Sequence, residues 1–260
     1  MMSYLSNSRI FLLFIAPFLL GALSVFSFQP FNFTFINFLI IPLFFFITLQ
    51  VKKKSKSIYR KKPYLLNLFL VGYSFGIGYF LSGTNWISYS LTFDDNFKYL
   101  IPVTIILLPI LLGLFFGIGN LLAGPFLRNN FVSILIFSSS LASMDFLRSK
   151  ILSGFPWNLW IYSWSWLPEV LQPVYYVGLF ASNLIFITFF CYPVIFFFSK
   201  NKTNLIMGFF IIFIFFSNYI FGSIVINKNN ENLNSYNFNE TNSLNIKIVS
   251  PSFDLKYNLT

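Results

Sequence analysis

Few residues in this chain are equipped for chemistry, and most of those that are stand alone. It has no histidine and one cysteine, Cys191, which excludes an intrachain disulfide, a Ser-His or Cys-His dyad and Cys/His metal sites. Cys191 lies in Phe189-Phe190-Cys191-Tyr192-Pro193, and a thiol in apolar surroundings is inert. Asp94-Asp95 is the one acidic pair, in a polar connection with no third ligand nearby, so it reads as a solvated loop rather than a metal site. Asp145 and Arg148 are three residues apart, the spacing that puts two side chains on one helix face. A carboxylate at the end of an apolar helix is costly unless paired or hydrated, so a local Asp145–Arg148 pair is expected.

Arg148 opens the most distinctive stretch of the chain, residues 148–166. It breaks a succession of apolar segments with charge, Gly, Pro and aromatic rings, and it holds Trp157, Trp160, Trp164 and Trp166, four of the five tryptophans. Trp favours the headgroup level of a membrane, with its body in lipid and its N–H wet. The stretch therefore suits an interface that handles amphipathic molecules. Arg148 and Lys150 would offer positive charge to a lipid phosphate.

The elements that must position these residues are membrane spans. The chain is 57% hydrophobic and 9% charged, whereas a soluble domain carries about a quarter charged residues. Its fold class is an all-α polytopic membrane bundle of about seven transmembrane helices, at about 10–28, 34–51, 64–81, 99–122, 131–147, 174–198 and 205–226. Gln29-Pro30-Phe31-Asn32-Phe33 makes a turn after the first. Gly72 and Gly76 in the third, and Gly113 and Gly117 in the fourth, have the spacing that lets helix backbones approach. Residues 1–227 form this membrane domain. Residues 228–260 are polar and Asn-rich, then alternate like a strand over Ile246–Val249.

Threading the spans with the N-terminus in the cytoplasm sorts the charges. Inside fall Arg9, seven basic residues from Lys52 to Lys62, Arg128, Lys200 and Lys202; the outer flanks hold Lys98, Arg148, Lys150 and Lys228. That asymmetry obeys the positive-inside rule, and it makes the basic run a cytoplasmic loop rather than a nucleic-acid site. All seven acidic residues and all five tryptophans fall on the outside or at the outer helix ends. The outer face is thus the expected functional face.

At this point an ordered set of motifs resembles a known family, the bacterial apolipoprotein N-acyltransferases. Gln29-Pro30-Phe31 is similar to the family's Pro-aromatic turn. Gly76-Ile77-Gly78-Tyr79-Phe80 with Gly83-Thr84-Asn85-Trp86-Ile87 resembles its Gly-rich third helix and outer Trp motif. Asp145-Phe146-Leu147-Arg148 followed by Gly154-Phe155-Pro156-Trp157-Asn158 resembles its most specific signature, and Gln172 and Gly178 fit the start of the next helix. The resemblance covers about residues 10 to 258. Asp145 stands where Glu is usual, and Ser250 and Ser252 depart from the pattern that closes the family's first nitrilase strand.

The resemblance implies the start of a truncated α/β nitrilase-like domain at 228–260, in the periplasm, on a multi-pass protein of the bacterial inner membrane. It implies transfer of an acyl chain from a phospholipid donor to the N-terminal cysteine amine of a diacylated lipoprotein, the last step of lipoprotein maturation. The family's catalytic Glu, Lys and Cys, and an eighth helix, would lie beyond Thr260, so the 260 residues alone are expected to be inactive. Trp86, Asp145, Arg148, Gly154, Phe155, Pro156, Trp157 and Asn158 are then the substrate-binding or scaffold candidates. No cofactor, metal or nucleic acid is expected; the other partners are membrane lipids, and a monomer is expected. The alternatives are a non-enzymatic transporter or assembly protein, motivated by the glycine pairs and the Ser-rich fifth span, and a transferase acting on a lipid-linked sugar through Asp94-Asp95.

Overall fold

The computed structural model describes residues 9–58, 63–151, 154, 156–197 and 202–235. Among them there is no strand, and six helices are long and apolar enough to cross a membrane. The first expected span is shorter, an apolar helix over Phe11–Ser27. It is a π turn at Phe11–Ile15, then α1 (Ala16–Leu23) and a 3-10 turn at Ser24–Ser27. There follow α2 (Asn37–Ile58), α3 (Pro63–Gly83), α4 (Ile101–Ala123), α5 (Phe131–Arg148), α6 (Leu179–Phe190) and α7 (Lys202–Asn234). The chain is an all-α polytopic membrane bundle. The strand expected at Ile246–Val249 lies outside the described residues, as does Phe155.

Two spans differ in detail from the sequence expectation. The sixth does not run unbroken from 174: a helical turn at Val174–Val177 stops at Gly178, whose φ of 87° is in the left-handed region, and α6 starts again at Leu179. The helix after residue 202 continues beyond the apolar stretch, through the polar residues to Asn234. At 1.5 Å per residue it is about 50 Å long, against about 30 Å of bilayer hydrocarbon. Extending an existing helix needs no new nucleus, so weak helix formers such as Asn are carried along.

The third span, α3, is the packing centre, because glycine lets two neighbours reach its backbone. A Cβ on Gly76 would sit 2.8 Å from Gly113 Cα of α4, and one on Gly78 would meet Phe18 O of α1 at 2.1 Å. The glycine spacing is thus helix packing, as in other membrane bundles. Rings fill the space around it: Phe44 of α2 stacks on Phe75 at 4.1 Å, and Phe137 of α5 meets Phe44 edge-on at 5.3 Å.

Lipid offers no hydrogen bonds, so polar side chains within the spans must bond one another or the backbone. Asn120 of α4 accepts from Thr48 Oγ1 of α2 at 2.9 Å and donates to Leu68 O of α3 at 2.7 Å. Ser140 of α5 donates to Gly119 O of α4 at 2.7 Å. At the basic end of the bundle, Lys52 Nζ donates to Leu127 O at 2.5 Å. The opposite end carries the tryptophans, and the candidate residues meet there.

Candidate functional site at the tryptophan end of the bundle

The expected Asp145–Arg148 pair exists, and it is deeply buried. Arg148 Nη2 lies 2.9 Å from Asp145 Oδ1, and the side chains are 1% and 6% exposed. Burying two charges costs several kcal/mol per ion, which close geometry and further hydrogen bonds must offset. Here the second carboxylate oxygen accepts from Asn183 Nδ2 of α6 at 2.9 Å. Arg148 Nη1 donates to Trp157 O at 2.9 Å, and the guanidinium lies 5.0 Å from the centre of the Phe80 ring. The guanidinium is therefore turned into the bundle. The expected contact of Arg148 with a lipid phosphate does not fit this placement, because its charge is already matched inside.

These groups hold the loop that follows by its backbone. Arg148 takes the carbonyl of Trp157, the Tyr79 hydroxyl of α3 donates to the carbonyl of Asn158, and Asn183 Oδ1 accepts from the Ile161 N–H at 3.2 Å. Three spans thus clamp residues 157–161 from below. The loop itself needs two left-handed positions, Gly154 with φ 82° and Asn158 with φ 55°. Gly tolerates that region freely and Asn more readily than other side chains. Gly83 gives Asn158 its place, since a Cβ on residue 83 would fall 2.1 Å from Asn158 Nδ2.

With its backbone held from below, the segment shows Trp157 and Asn158 to a cleft of about 990 Å³. One wall is the corner after α1, including Phe28, Gln29 and Phe31; another is the turn after α3, with Gly83, Asn85 and Trp86; the third is Pro156, Trp157 and Asn158, with Tyr162 behind them. Three stretches far apart in sequence therefore share one cavity. Trp86 and Trp157 are about half exposed, and their rings cross at 70° with centres 5.4 Å apart. Trp86 Nε1 donates to Gly83 O at 3.1 Å, which fixes its ring. Burial pushes the Tyr162 phenol up, while Arg148 pulls it down by less. Tyr162 stays a neutral hydrogen-bond donor at physiological pH.

The other aromatic residues of the stretch do something different. Trp160 and Trp164 are buried in the core, not set at a membrane interface as their composition suggests. The 3-10 turn at Trp160–Trp164 points them inward. Trp160 packs 5.0 Å from Tyr79 and Trp164 stacks 6.1 Å from Phe190. Trp166 donates to Thr34 Oγ1 at 2.7 Å. Sequence reasoning did not single out Asn183, and it reached Tyr79 only as part of the Gly-rich motif of the third span, not as a site residue. A lone Asn inside Leu179–Phe190, where every polar side chain must be satisfied, is the signal that marks Asn183.

Among the described residues the cleft lining offers the hydroxyls of Ser82, Tyr162 and Ser165, and no Cys, Lys, Asp or Glu stands beside them. Cys191 is fully buried within a span. Asp94 accepts from Asn96 N–H at 2.9 Å as the cap of a 3-10 turn, and Asp95 pairs with Lys98 at the surface. No group of three His, Cys, Asp or Glu able to hold a metal occurs among the described residues.

The sequence matches the family described as apolipoprotein N-acyltransferase N-terminal domain over residues 20–192, which include every wall of the cleft and the whole ion-pair network. The chain belongs to that family. Among its relatives are proteins named apolipoprotein N-acyltransferase. One from Rickettsia typhi is 35% identical over 192 residues, 72% of this chain and 35% of the relative. One from Brucella melitensis is 32% identical over 181 residues, 69% and 34% of the two chains. One from Rhizobium etli is 31% identical over 179 residues, 68% and 33%. The matched region spans about a third of the length of these relatives. As a member of this family with several apolar spans, the chain is a multi-pass bacterial membrane protein.

Proposed function

We propose that this chain is the membrane part of an apolipoprotein N-acyltransferase. It moves an acyl chain from a phospholipid to the N-terminal cysteine amine of a diacylated lipoprotein, at the periplasmic face of the inner membrane. The observation that carries the proposal is the cleft. Three motif stretches, around Gln29, Trp86 and Trp157, converge on one aromatic cavity at the tryptophan end of a bundle of this family. Trp86, Pro156, Trp157 and Asn158 contact the lipid substrates, while Asp145, Arg148 and Gly154 are scaffold. Phe155 belongs with the substrate-contacting residues by its place in the sequence. The positive-inside distribution of Lys and Arg supports an N-terminus in the cytoplasm and residues 228–260 in the periplasm, the latter as the start of a nitrilase-like domain.

The catalytic Glu, Lys and Cys are supplied from outside residues 1–260. The deciding experiment reconstitutes the 260-residue chain with phospholipid and a synthetic S-diacylglyceryl-cysteine peptide and follows N-acylation by mass spectrometry. No turnover is expected from this chain alone. Turnover should appear when a nitrilase-like partner or continuation is restored. Steady turnover by residues 1–260 alone would overturn the assignment of the nucleophile to another part of the protein.

A further inference from the structure

The cleft has a chemical bias that its shape does not explain. Its described lining has no Lys, Arg, Asp or Glu. Arg148, at the start of the stretch, is turned away and bonded to Asp145 and Trp157 O. Lys150 sits 5.8 Å from the centre of the Phe146 ring and is not part of the lining, and Lys98 is paired with Asp95. A phosphate brought into this cavity would be partly desolvated without a counter-charge, which is costly. A cation meets the opposite situation. The crossed indoles of Trp86 and Trp157, with Tyr162 close behind, present π surface that attracts an ammonium. Gln29, Asn85 and Asn158 add neutral amides suited to peptide and ester carbonyls. The volume, about 990 Å³, suits a drug-sized or larger amphipathic group.

We infer that the cleft seats the amine-bearing acceptor and not the phosphate-bearing donor. The free ammonium of a diacylglyceryl-cysteine peptide lies against Trp86 and Trp157, its ester and peptide carbonyls face the amides, and the phospholipid is held elsewhere. The assignment rests on the acyltransferase reading above, since that reading names the two lipids between which the cleft must choose.

Binding separates the two without requiring turnover. The 260-residue chain, in a phospholipid-free maltoside micelle, is titrated with a fluorescent S-diacylglyceryl-cysteine peptide and binding is read by anisotropy. The free-amine peptide should bind about tenfold tighter than its N-acetylated form, a difference within the range of one cation–π contact. Dihexanoyl phosphatidylglycerol should fail to displace it. Trp157→Leu should lose most of the preference for the free amine, and Trp157→Phe should keep part of it. Trp86→Leu repeats the test if Trp157→Leu does not fold. Equal binding of the acetylated peptide, or displacement by the phosphatidylglycerol, overturns the acceptor assignment and leaves a lipid site. If neither lipid binds, the cleft is not a substrate site and the acyltransferase reading loses its supporting observation as well.

Discussion

Asn183 donates to Asp145 Oδ2 across 2.9 Å, joining α6 to α5 at the point where an ion pair is buried. Its other amide atom accepts from Ile161 N–H. One side chain thus completes the carboxylate's shell and holds the loop that forms the cleft wall. Asn183→Ala should destabilise the bundle by about 1.5–3 kcal/mol, the range for a hydrogen bond to a charged group. Reversible unfolding in mixed micelles measures the loss. Asn183→Gln, which keeps the amide but displaces it, should recover only part.

Removing one partner of the buried pair should cost more than removing both. Arg148→Met leaves Asp145 buried with only Asn183, a loss of about 3–5 kcal/mol. Asp145→Leu leaves the guanidinium in the same position. The double variant replaces two charges by apolar side chains of similar reach, and buried pairs exchanged in this way are often near neutral. A double-mutant cycle by the same unfolding assay should therefore show strong coupling. Additive single effects would mean that the two charges do not meet in the folded protein.

That pair was legible in the sequence because its partners are three residues apart on one helix. The glycine spacing of α3 was legible for the same reason. Both are local patterns with a fixed geometry. Asn183 and Tyr79 were not legible as site residues, since they reach the loop from separate helices and only packing brings them there. Trp160 and Trp164 misled. Composition sets a Trp-rich loop at the membrane surface, but a single 3-10 turn directs two of its rings into the core. The convergence of the Gln29, Trp86 and Trp157 stretches on one cavity is a property of the tertiary fold, whereas their order along the chain was readable from the start.

The inward turn of those rings has a direct optical consequence. In variants that retain one tryptophan each, acrylamide should quench Trp157 and Trp86, both about half exposed, several-fold more than Trp160 or Trp164, both buried. Similar quenching for all four would place the Trp160–Trp164 turn at the surface instead of in the core.

Close packing at Gly76 predicts a sharp size limit. An added methyl would lie 2.8 Å from Gly113 Cα, against backbone that cannot rotate away. Gly76→Ala should cost about 1–3 kcal/mol, the range for overpacking. Leu122→Ala, a larger change at an α4 residue that is 53% exposed, should be close to silent by the same assay.

Asn158 tests whether the cleft wall depends on backbone conformation or on the side chain. Its φ of 55° lies where a non-glycine residue is held at a cost of about 1–3 kcal/mol. Glycine relieves that cost, and alanine raises it because it lacks the local hydrogen bonding that helps Asn adopt this region. The backbone anchor, Tyr79 hydroxyl to Asn158 O, survives both changes. Asn158→Gly should then unfold at or above the wild-type midpoint and Asn158→Ala at a lower one. If the Asn158 amide also contacts the acceptor, as its place in the lining suggests, both variants should bind the free-amine lipopeptide more weakly, and by similar factors. A loss of binding that instead followed the loss of stability would assign Asn158 to the scaffold alone.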